Sequence, residues 1–128
     1  MDLEASIRAF ALADTDIAAA ISTRWFVDFI PDDAVYPLVK MSQVANAPRY
    51  SHSGNSGRVV TFQADIYADD KAGANSTAES VLERFDAYKG VVGSVTAGYI
   101  WARDVRGEWS PETRKFRRIV EIEIGTND

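Results

Sequence analysis

The segment Arg58-Val59-Val60-Thr61-Phe62-Gln63-Ala64-Asp65-Ile66-Tyr67-Ala68 alternates apolar and polar side chains. Val60, Phe62, Ala64 and Ile66 fall on one face, and Thr61, Gln63 and Asp65 on the other. A period of two marks a strand with one face in a core. Ala78, Val81, Leu82, Phe85 and Tyr88 then recur at helical spacing. Ser76-x-x-Glu79 is a capping box at the start of that run, and Gly90 supplies its stop. A helix over 76–89 is predicted. Its Val81, Leu82 and Phe85 are placed to pack on Val60, Phe62 and Ile66.

Outward from this pair, the chain falls into short elements. Residues 2–12 read as a helix capped by Asp2, with Leu3, Ile7, Phe10 and Ala11 on one face. Asp14 or Thr15 restarts a helical turn through Ile17, Ala20 and Ile21. Trp25 to Phe29 is either a short strand or a buried linker, and Pro31-Asp32-Asp33 is a turn. Leu38 to Val44 reads as a strand with Pro37 at its start. Ala45 to Gly57, rich in Ser, Asn and Gly, reads as a long loop. Thr96 to Asp104 and Phe116 to Ile124 read as strands, joined by a hairpin turn at Gly107 to Pro111. In the last strand Val120, Ile122 and Ile124 face inward and Glu121 and Glu123 outward. The expected fold is α+β: a four-stranded, mainly antiparallel sheet packed with one long helix and short N-terminal helices. Residues 1–128 are expected to form a single domain.

Composition narrows the chemistry. The chain has 128 residues, 46% hydrophobic and 26% charged, the balance of a globular protein. It contains no cysteine, which removes disulfides, thiolate catalysis and cysteine-ligated metals. A single histidine removes every two-histidine metal site. Lys+Arg is 14 against Asp+Glu 19, a net charge of −5, which disfavours a dedicated nucleic-acid binder. The acidic excess is uneven: residues 1–48 carry 7 acidic and 3 basic groups, whereas 94–128 carry 6 of each. The start Met1-Asp2-Leu3-Glu4 lacks the positive charge of a signal peptide, and no apolar run reaches membrane-span length. Synthesis in the cytosol is expected, with no membrane partner.

No residue set converges on catalysis, a cofactor or a metal. His52 lies among serines in the long loop, with nothing to orient it as a base, and reads as a loop residue or a partner contact. Asp32-Asp33 and Asp69-Asp70 are adjacent pairs in turns, and adjacent side chains diverge. Asp65 is placed to pair with an Arg or Lys across the sheet. Gly90-Val-Val-Gly93 lacks the Lys-Ser/Thr of a phosphate loop. The cluster Arg114-Lys115-x-Arg117-Arg118 splits between two sides of a strand and reads as a solvated or edge-protecting strand end, with a protein interface or a nucleic-acid phosphate contact as the alternatives. Trp101 and Trp109 flank Arg103 and Arg106. Trp109 at a hairpin tip either marks a partner surface or folds back on its own sheet. The candidate protein-interface residues are Arg49, Tyr50, His52, Arg58, Arg103, Arg106 and Trp109.

Several segments in order resemble the tail-completion family of long-tailed bacteriophages. They are Tyr36-Pro37-Leu38-Val39, then Phe62 to Ala68, then Ala78-Glu79-Ser80-Val81-Leu82. The closing strand Phe116-Arg117-Arg118-Ile119-Val120-Glu121-Ile122 is similar to the family's final strand. The resemblance implies a tail terminator, without enzyme activity or cofactor. Such a protein forms a homo-oligomeric ring, commonly a hexamer, at the head-proximal end of the tail tube. Its implied partners are itself, the tail tube protein and the head connector or adaptor. DNA passes through the ring without specific binding. Related proteins serve gene transfer agents, which are phage-derived particles. The implied location is the virion, after assembly in the host cytoplasm. The alternatives are a head-completion protein and a small ligand-binding or enzymatic α+β domain.

Overall fold

The computed structural model describes residues 3–51, 54–93 and 95–126; for 49–51 and 54–56 it describes the backbone alone. The elements are α1 (Leu3–Leu12), α2 (Thr15–Ile21), β1 (Trp25–Val27), β2 (Leu38–Ser51), β3 (Gly54–Ala68), α3 (Lys71–Phe85), β4 (Gly90–Val92), β5 (Val95–Ser110) and β6 (Lys115–Thr126). They form one six-stranded sheet in the order β1-β2-β3-β6-β5-β4. β1 runs parallel to β2, and every other neighbouring pair is antiparallel. The fold is mixed α+β as expected, with six strands in place of four. Of the two extra strands, β1 realises the short-strand alternative for Trp25 to Phe29, and β4 has three residues, too few for alternation to reveal.

The pairing of β3 with β6 is the middle of the sheet. Val60 faces Ile124, Phe62 faces Ile122 and Ala64 faces Val120. All six side chains are buried on the helix-covered face. Val81 and Phe85 of α3 share that core with Val60, Phe62 and Ile66, and half-buried Leu82 packs at its border. Ile7, Phe10 and Ala11 of α1 join the same core, as do Ile17 and Ile21 of α2. Leu3 packs against it; Asp2, the expected cap, lies outside the described residues. Asp14 caps α2, accepting from the backbone N–H groups of Asp16 and Ile17. Arg8 ties α1 to the start of β1 through the carbonyls of Thr23 and Trp25, both at 2.9 Å. Among the described residues no helix is long and apolar enough to cross a membrane.

Four expectations need correction. α3 begins at Lys71, not at Ser76, because the Asp70 carboxylate accepts the Gly73 N–H at 2.6 Å and caps the helix earlier. It also stops at Phe85, well before Gly90. There Ala87 takes φ 63° and its N–H donates to Ile100, which turns the chain along β5. The described residues of 45–57 are strand and not loop: β2 and β3 pair through Pro48–Arg58 and on to Ser51–Gly54. Cross-strand pairing overrides its turn-rich composition, and Pro48 is tolerated on a strand whose far side is open. Finally, β5 runs straight through Gly107 to Ser110, and the turn is Pro111 to Arg114. The Arg114 N–H closes it on the Ser110 carbonyl at 2.7 Å.

Gly125 is held to glycine by packing. A Cβ built there would lie 2.0 Å from Cε1 of Tyr99, whose ring crosses over the glycine. Gly125→Ala is therefore expected to destabilise the fold by about 1–3 kcal/mol through overpacking. Denaturant unfolding should show this loss, and Tyr99→Ala in the same chain should recover part of it.

Candidate functional site

The expected interface residues spread over the length of the sheet, with Arg58 and Trp109 towards opposite ends and Arg103 level with Gln63 midway. Arg58 on β3 is level with Thr126 of β6, whereas Trp109 on β5 is level with Phe116, which faces Ala68. Ten residues of β3 separate these levels, or roughly 33 Å at strand rise. At the upper end, Arg58 Nε donates to Asn46 Oδ1 at 2.6 Å. It lines a shallow cleft with Leu3, Gln43, Asn46 and Thr126. Arg49 and Tyr50 belong to β2, where their backbone alone is described. His52 lies outside the described residues.

From the middle of the sheet to its lower end, β5 carries Arg103, Arg106 and Trp109 along one strand. Arg103 pairs with Glu121 at 2.7 Å, and Arg106 sits 3.6 Å from Glu108. Trp109 folds back on its own sheet in part. Its ring meets Phe116 edge-on at 5.1 Å, yet the residue remains 51% exposed. Together with Lys71, Asn75, Gly107 and Arg118 the two rings line a cleft of about 230 Å³ beside the start of α3. Sequence reading did not single out Lys71, Asn75 or Phe116. They come from separate elements and meet only in the tertiary fold.

The basic cluster is not at a sheet edge, as expected from its sequence, but on β6 in the sheet interior. Three of its four cations are matched by carboxylates; Arg114, in the turn before β6, has no ion pair among the described residues. Lys115 pairs with Asp69 at 2.5 Å, and Arg118 pairs with Asp104. Arg117 reaches Asp65 at 3.0 Å and Glu108 at 3.1 Å. Asp65 is 2% exposed, and the Arg117 guanidinium offsets the cost of burying its carboxylate. Burial is the largest single influence on the Arg117 pKa and lowers it, but Asp65, Tyr67 and Glu108 together raise it more and the net shift is upward. Tyr67, on the same face, is pushed above its ordinary value of 10.0 by burial, against the lowering effect of Arg117.

The rest of the surface holds isolated apolar groups. Trp101 is 62% exposed, with its ring 4.9 Å from that of Tyr99. Val44 and Val105 are exposed at the register shifts of β2 and β5. Among the described residues no three His, Cys, Asp or Glu side chains gather as a metal site.

The curled six-stranded sheet with three helices is shared by a chain in the solved virion of a native gene transfer agent particle. The two align with a TM-score of 0.80, covering 98% of this chain and 95% of the other, at 18% identity. At that identity the likeness shows the fold. The chain belongs to the Tail completion protein gp17 family, whose model matches residues 5–127. This is a family of structural proteins of the virion tail. No curated protein matches the chain.

Two outcomes test the electrostatics. Arg117→Met strands a buried carboxylate and should cost about 3–5 kcal/mol, while the double change with Asp65→Asn should cost less. Chemical denaturation of the three variants measures both. Because the folded-state pKa of Tyr67 is raised, the folded chain holds that proton more tightly than the unfolded one. The contribution of Tyr67 is thus complete below pH 10 and is lost as pH rises through its folded value. Tyr67→Phe should flatten the alkaline limb of a stability–pH curve.

Proposed function

We propose that this protein is a tail terminator: it forms a ring at the head-proximal end of a phage-like tail tube, ends tube growth and joins the tail to the head connector. The carrying observation is the family match over residues 5–127. The fold likeness to a gene transfer agent virion chain supports a particle of that general kind. In this reading the whole chain, 1–128, acts as one domain, assembled in the host cytoplasm and retained in the virion.

Simple dimensions are compatible with a six-membered ring. A chain of this length has a radius of gyration of about 14 Å and hence a diameter of roughly 36 Å. Six such bodies in contact leave a hole of roughly the same width, which side chains and loops then narrow. DNA passes through this opening. The net charge of −5 favours passage over adhesion, because like charges repel. Function then resides between copies and partners, on the tube side and the connector side. Arg103, Arg106 and Trp109 provide one contact region, and Arg58 with the end of the β2–β3 hairpin provides the other.

Particles made without this protein should carry tails of uncontrolled length and no joined heads. Electron microscopy of such lysates checks this, with complementation by the intact gene as control. Tails of normal length, joined to heads, would overturn the reading.

A further inference from the structure

The two sides of the sheet are stepped. On one side β1 covers β2 only from Val39 to Met41, and the Asp28 N–H adds one bond to the Met41 carbonyl. Beyond that point, among the described residues, Ser42 to Pro48 pair only with β3. Gln43 to Pro48 are exposed without interruption. Continuous exposure means that both faces of this strand are bare, along with its edge. The stretch Ser42 to Pro48 carries no charge, although charge is the usual guard of a free edge.

On the other side the step is inverted. β4 covers β5 from Val95 to Ala97, and Ala87 and Asp86 bond to Ile100 and Ala102. Asp104 to Ser110 pair only with β6 among the described residues. The free side of β2 runs on to Ser51, and that of β5 spans seven residues, Asp104 to Ser110. One lies at the upper end of the sheet and the other at the lower.

We propose that the free edge Ser42–Pro48 of one copy adds to the free edge Asp104–Ser110 of a second copy, so that opposite sides of identical sheets join head to tail. This deepens the ring reading and rests on it. Chain direction supports the pairing: β2 and β5 run in opposite senses within the sheet, so a copy translated sideways presents an antiparallel partner. The steps also interlock. The midpoints of the two edges differ by about five residues, or roughly 17 Å along the strands. That offset puts the second copy's turn at Pro111–Arg114 just beyond the end of β1 and leaves its β4 above the first copy. Charge matches at this junction. Asp28 and Arg114 are both exposed, and neither has an ion pair among the described residues. Phe29, next in sequence to Asp28, is 65% exposed, and Trp109, on the strand that leads into the Arg114 turn, is 51% exposed. An interface of two unlike patches is heterologous and generates a ring when its rotation closes.

The absence of cysteine makes the test clean. Ala47→Cys and Val105→Cys are combined in one chain and treated with a short bis-maleimide at high protein concentration. Within a copy these positions are three strand spacings and several residues apart, roughly 20 Å, beyond the reagent's reach. The double variant is expected to give a ladder of covalent oligomers that ends at the ring number. Each single variant should give no such ladder. Absence of the ladder, or equal cross-linking of a single variant with itself, overturns the proposal. Asp28→Lys or Arg114→Glu alone should lower ladder yield several-fold, and the two together should restore it. Failure of the restoration overturns the charge contact. Rings seen on tails by electron microscopy without a ladder would sink this interface and leave the ring reading standing. A ladder that grows without closing would keep the interface and sink the ring.

Discussion

Everything in this fold hangs on the pairing of β3 with β6. Eleven consecutive residue pairs, from Arg58–Thr126 to Ala68–Phe116, run through the centre of the sheet. One face of that ladder gives the core its floor, and all three helices pack on it. The other face carries Asp65, Tyr67 and Arg117, a polar layer whose charges are resolved within the sheet. A slip of one residue would exchange these faces and bury the wrong set. The ion pair of Asp65 and Arg117 thus reports the register as much as it stabilises it.

The same ladder explains what the sequence makes legible. The alternation of Val60, Phe62, Ala64 and Ile66 is a direct print of one buried face, and so is that of Val120, Ile122 and Ile124. The helical recurrence of Ala78, Val81 and Phe85 is the matching print on α3. Where packing decides, pattern suffices. Where pairing decides against composition, it fails. Ala45 to Gly57 has the residues of a loop, and only the partner strand holds it extended. Gly107 looked like the start of a turn, yet β6 keeps β5 straight past it. β4 fails for a different reason, since three residues carry no period.

The site was legible only in part. Arg103, Arg106 and Trp109 were found because charged and aromatic residues alternate along one short stretch. Their surroundings were not, since Lys71 and Asn75 arrive from α3 and Phe116 from β6. The basic run on β6 misled for the same reason. Its carboxylate partners Asp65, Asp69 and Asp104 come from β3, from the turn after it and from β5. A charge run in sequence says nothing of the opposite charges that folding brings to it.

The register shifts at Val44 and Val105 reach beyond their own strands. Each adds one residue to its strand opposite none on the partner, and such an insertion sharpens the local right-handed twist and bends the strand. Both lie on the otherwise open edges of the sheet. Any strand laid along either edge is steered away from the flat geometry that amyloid stacking requires. The molecule can therefore expose an uncharged edge without offering a template for fibres, because its curvature selects which partners can follow.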